Sequence, residues 1–127
     1  MVDRSGKSIL VVEDDPLVRE HIVGLIGSLG YEVYAAKDGQ MALDFIGRDS
    51  AIDLLFTDMV MPGGMNGKQL ADAALLEMPQ LKVLYTTGYS EDGIVSNGRL
   101  DGGVELLMKP YRKAQLIAKL EAVLGLS

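Results

Sequence analysis

Cysteine and tryptophan are absent from the 127 residues, and histidine occurs once. Without cysteine there are no disulfides, thiolate metal sites or thiol nucleophiles, and nothing marks a redox compartment. With two Phe and five Tyr, the core must be built from aliphatic side chains and seven Met, the latter suited to irregular gaps. Positive charge is also in deficit. Twelve Lys and Arg stand against eighteen Asp and Glu, a formal charge of −6, which argues against direct nucleic-acid binding because phosphate contacts need a basic excess. No apolar run approaches the roughly 20 residues that span a bilayer. The first run, Ile9 to Val12, meets Glu13-Asp14-Asp15 after four residues, too short for a signal-peptide core. The expectation is a soluble cytoplasmic domain with no membrane partner, long enough to bury a real core.

What is present is a regular alternation. SILVV (8–12), YEVYAA (31–36), DLLFT (53–57), KVLYTT (82–87) and VELLM (104–108) read as strands. The continuous apolar runs among them suit strands buried on both faces. Between them, helical spacing appears in Val18, Ile22, Leu25, Ile26 and Leu29, with Asp15-Pro16 as a start signal and Gly30 as a stop. Asp38 caps a short second helix carrying Ala42, Leu43, Phe45 and Ile46. A third helix runs from about Gly67 to Met78 before Pro79. The last places Leu116, Ile117, Leu120, Val123 and Leu124 on one face ahead of Gly125. Alternating strands and helices predict an α/β fold, a doubly wound five-stranded parallel sheet with helices on both faces. No repeat or linker interrupts it, so residues 1–127 read as a single domain with an ordered core of about 8–124.

Function in such sheets gathers beyond the carboxyl ends of the strands. There the sequence places Glu13 and Asp14 after the first strand and Asp58 after the third. Thr87 follows the fourth and Lys109 the fifth. The second strand ends in Ala36-Lys37 and lies outside the set, as an edge strand would. Carboxylates about 4 Å apart repel by roughly 4 kcal/mol at an effective dielectric near 20. One lysine cannot neutralise three acids, whereas a hard divalent cation can, and an all-oxygen site that keeps waters suits Mg²⁺. With Lys109, such an ion would take up negative charge on a phosphoryl group attacked by a carboxylate.

VVEDDP, TDMVMPGGMNG, YTTGY and MKPY, in this order and spacing, resemble the receiver domain of two-component response regulators and hybrid histidine kinases, across essentially the whole chain. The resemblance implies the flavodoxin-like strand order 2-1-3-4-5, an order for which the general rule itself cites a receiver. It implies that Asp58 is the phosphoacceptor, Asp14 a direct Mg²⁺ ligand, Glu13 a ligand through water and the Val60 backbone carbonyl a further ligand. Thr87 would bind a phosphoryl oxygen and Lys109 would pair with the phosphate. The implied partners are a sensor histidine kinase or phosphotransfer protein and a downstream protein target. If the chain is complete, it would act as a stand-alone receiver; it would otherwise be a piece of a hybrid kinase.

Three features depart from the family pattern. The loop after Asp58 carries Gly63-Gly64 where one residue is usual. Residues 90–103 hold four glycines, each costing a helix about 1 kcal/mol relative to Ala, so the fourth helix is expected to be short or irregular and the segment mobile. Leu106 stands where an aromatic switch residue is common. In the family, the side chains two positions past the phosphoacceptor and the Thr influence attack by water; here Val60 and Tyr89 offer no carboxylate or amide to orient it, which implies comparatively slow self-dephosphorylation.

Blander readings compete. Asp15 is better read as a helix cap, His21 as structural, and Met59, Met61 and Met65 as packing. The alternative functions are a Mg²⁺-dependent phosphohydrolase with an Asp nucleophile and a degenerate interaction domain. The first needs a second acid where Val60 stands; the intact acid set argues against the second.

Overall fold

The computed structural model describes residues 6–48, 51–61, 65–88, 95–96, 99–100 and 104–126. Strand β1 (Ser8–Val12) leads into helix α1 (Pro16–Ser28), then β2 (Glu32–Ala36), α2 (Gly39–Arg48), β3 (Leu54–Asp58), α3 (Gly67–Glu77) and β4 (Lys82–Gly88). Two short strands follow, β5 (Val95–Ser96) and β6 (Arg99–Leu100), then β7 (Val104–Lys109) and α4 (Lys113–Leu124).

Strand order across the sheet is β2-β1-β3-β4-β7-β6-β5. The first five are mutually parallel, so the parallel core has the expected 2-1-3-4-5 order, with β7 as its fifth strand. Where the sequence pattern predicts a short or irregular fourth helix, the described residues instead pair as strands. β5 runs antiparallel to β6, and β6 antiparallel to β7. The physical reason is in the composition, since the glycines of the segment disfavour helix and Val95 is a strand former. The four glycines themselves, and most of the segment expected to be mobile, lie outside the described residues, as do Gly63-Gly64 and Tyr89.

Burial on both faces follows the two-residue period of a strand. Leu10, Val12, Leu55, Tyr85 and Leu106 pack on one side against Ala42 and Ile46 of α2 and Leu70, Ala71 and Ala74 of α3. Ile9, Val11, Leu54, Phe56, Leu84 and Leu107 pack on the other against Ile22 and Ile26 of α1 and Leu116 and Leu120 of α4. Every residue of β1 is buried, whereas edge strand β2 is mostly half-exposed.

Local chemistry sets the helix ends. Asp15 caps α1, its Oδ1 accepting from the Leu17 and Val18 amides at 2.9 and 3.3 Å; Asp38 accepts from Met41 at 2.9 Å. Asn66 and Gln69 form a reciprocal capping box at the start of α3. Gly125 closes α4 in the left-handed region at φ 73°, which glycine enters without strain. Met59 and Met61 are buried core, as expected of packing residues. His21 lies exposed on α1 beside buried Ile22.

Candidate functional site

The strand ends deliver the acids. Glu13 directly follows β1; its amide donates to the Ala36 carbonyl at 3.1 Å, and Arg19 of α1 donates to the Glu13 carbonyl at 2.8 Å. Asp58 is the last residue of β3 and Lys109 the last of β7. Carboxylate oxygens of Glu13, Asp14 and Asp58 lie within 4.8 Å of one another. Glu13 is buried, Asp58 half-buried and Asp14 exposed, so the cluster opens to solvent on one side.

Lys109 Nζ lies 2.7 Å from Asp58 Oδ1. The same oxygen accepts a hydrogen bond from the Thr86 hydroxyl at 2.7 Å. Asp58 and Thr86 face each other in the β3–β4 register, and their backbones are tied one residue on, where the Met59 amide donates to the Thr86 carbonyl at 2.8 Å. Beside this carboxylate is a cavity of about 10 Å³ whose lining includes Glu13, Thr57, Thr86 and Lys109, at the lower limit for one water.

One ammonium among three acids leaves the site short of positive charge. Burial, a hydrogen bond to Asp58 and the Asp58 charge together raise Glu13 to about 8, against the opposing pull of Lys109. Burial first, then the charges of Asp58 and Glu13, also push the Tyr111 phenol up to about 12. Three clustered carboxylates, one of them buried, fit a hard oxygen-seeking divalent ion. Val60 lies 58% exposed at the lip beyond β3.

Three contributors escaped the sequence reading. Thr86 is the hydroxyl placed against Asp58, while Thr87 is buried one residue later and, by strand alternation, faces the side of Tyr85 and Leu106. The β3–β4 register sets Leu84 beside Phe56 and Thr86 beside Asp58, an alignment that strands buried on both faces do not reveal in sequence. Gly67 is the second. Its amide donates to the Met59 carbonyl at 2.9 Å, and a Cβ there would overlap the Asp58 carbonyl oxygen. Arg19 is the third, and nothing in its spacing marked it.

Residues 9–121 match the family of response regulator receiver domains. The chain belongs to the response regulator receiver family. This receiver domain is 30% identical over 118 residues to the response regulator receiver protein CpdR of Brucella abortus, covering 93% of this chain and 97% of that one. Among solved structures, it is similar to a response regulator receiver protein from Sinorhizobium medicae, with TM-score 0.80 and 27% identity over 94% of each chain. It is also similar to the receiver domain of the hybrid histidine kinase CckA, with TM-score 0.75, 31% identity and coverage of 92% and 98%. Other relatives are longer. The receiver spans 13% of the sensor kinase CckA of Brucella abortus and about half of several transcriptional regulators.

Proposed function

We propose that this receiver takes a phosphoryl group onto Asp58, from a histidine kinase or phosphotransfer protein, in a Mg²⁺-dependent reaction. The observation that carries the reading is the convergence of Glu13, Asp14 and Asp58 oxygens within 4.8 Å, with Lys109 on Asp58. Glu13, Asp14, Asp58 and the Val60 carbonyl would hold the ion. When bound, Mg²⁺ supplies charge neutralisation for the acids and the incoming phosphoryl oxygens. A carboxylate oxygen of Asp58 forms the bond to phosphorus as the bond from phosphorus to the donor nitrogen breaks, its electron pair leaving with the imidazole. Lys109 then exchanges its carboxylate contact for a phosphoryl oxygen. Thr87, one residue past Thr86 in β4, is the candidate for a second phosphoryl contact, which requires its hydroxyl to turn toward Asp58.

A phosphohydrolase using an Asp nucleophile is not favoured, because Val60 occupies the position of its acid/base and has no titratable group. The switch reading extends to a downstream protein target and a cytoplasmic setting; among the described residues no helix is long and apolar enough to cross a membrane. Incubation with acetyl phosphate and Mg²⁺, followed by intact mass, tests the assignment. One added phosphoryl group in the wild type and none in Asp58→Asn is expected; equal labelling of both would overturn it.

A further inference from the structure

We propose that Thr86 is a positioning residue that selects the attacking oxygen of Asp58 and shortens the life of the phosphorylated form, an inference that rests on the reading of Asp58 above. Lys109 and the Thr86 hydroxyl both lie 2.7 Å from one oxygen, Oδ1. Their convergence engages the lone pairs of Oδ1 and leaves Oδ2 as the better nucleophile. Thr86 is 4% exposed and is fixed by the Asp58–Thr86 register, so its hydroxyl has little freedom to turn elsewhere. Its aim is built into the sheet.

The consequence appears after transfer. Once Oδ2 is bonded to phosphorus, Oδ1 is the carbonyl oxygen of a mixed anhydride, and Lys109 has moved to the phosphoryl group. The Thr86 hydroxyl is left as the donor to Oδ1. In hydrolysis, water oxygen bonds to phosphorus and the P–Oδ2 bond breaks. The electron pair returns to the carboxylate, and the water proton is released to phosphate or solvent. The loose transition state of phosphoryl transfer places most of the departing charge on that carboxylate. A donor on Oδ1 is therefore stronger in the transition state than in the neutral carbonyl, which speeds the loss of phosphate. In the forward direction the carboxylate is charged both before and at the transition state. The same hydrogen bond changes little there, and its role is orientation.

The test compares wild type, Thr86→Val, Thr86→Ala and Thr86→Ser, labelled with acetyl phosphate and Mg²⁺ and then freed of donor. Decay is followed by intact mass, and folding is verified by thermal melting. Thr86→Val and Thr86→Ala should prolong the phosphorylated form about fivefold, the factor for roughly one net hydrogen bond, with a smaller change in labelling rate. Thr86→Ser should restore the wild-type lifetime within about twofold. A structural role would slow both directions alike and would not be rescued by Ser. Lifetimes in the Val and Ala variants indistinguishable from wild type, with wild type labelled and Asp58→Asn unlabelled, would overturn this inference alone. Absence of labelling in the wild type would overturn the reading of Asp58 together with it.

Discussion

Two glycines in helices predict substitutions of opposite sign, and the difference is set by what a methyl group would meet. At Gly67, the first residue of α3, an added Cβ would overlap the Asp58 carbonyl oxygen and lie 2.9 Å from both the Asp58 carbonyl carbon and the Met59 Cα. These are backbone atoms at the end of β3, so no side chain can turn aside. The helix start and the strand end must separate by on the order of 1 Å to reach ordinary contact distance. Such a shift loosens the 2.9 Å bond from the Gly67 amide to Met59 and displaces the Asp58 carboxylate. Overpacking of this kind costs about 1–3 kcal/mol, and a misplacement near 1 Å slows an oriented reaction by up to about 100-fold. At Gly24, inside α1, a Cβ would meet nothing within 4 Å beyond its own helix backbone; alanine there should stabilise by up to about 1 kcal/mol through helix propensity. Urea unfolding of both alanine variants, with labelling rates from acetyl phosphate, measures the two effects. Gly67→Ala should lose stability and labelling rate together, and Gly24→Ala should gain stability at an unchanged rate. Gly67→Ala with wild-type stability and labelling would refute the close-approach argument.

The metal-free protein should lose stability as pH rises from about 4.5 to about 8, because folded Glu13 retains a proton that the unfolded chain releases above the ordinary carboxyl value of 4.5. Denaturant midpoints in chelator across this range should fall in wild type and flatten in Glu13→Gln. Millimolar Mg²⁺ at constant ionic strength should raise the melting temperature, since a ligand of the folded state stabilises by mass action; Asp14→Ala should remove most of that shift. Asp53→Ala should cost about 1–3 kcal/mol in a urea titration, because the buried Ser8 amide loses its 2.8 Å acceptor Asp53 Oδ2.

Legibility in the sequence followed the strength of local signals. SILVV and DLLFT announced strands buried on both faces, and Asp15-Pro16 a helix start, because burial and capping leave marks within a few residues. Glu13, Asp14, Asp58 and Lys109 were legible as a group because parallel strands bring their carboxyl ends to one edge. Thr86 was not, since two adjacent threonines differ only in which face they present. Gly67 looked like an ordinary residue of a helix start; its need arises from a strand nine residues earlier that approaches it in space. The region of the fourth helix could be read as unfavourable to helix, but glycine content does not reveal antiparallel pairing with the last strand.

The central claim is that the Asp58 carboxylate, among three acids and one lysine, accepts phosphate. Its most direct measurement is site-resolved mass spectrometry after incubation with a small-molecule phosphodonor, with and without Mg²⁺. The account predicts one phosphoryl group, located on Asp58, dependent on Mg²⁺ and absent from Asp58→Asn. A phosphoryl group on another residue, or full labelling of Asp58 in excess chelator, would contradict it.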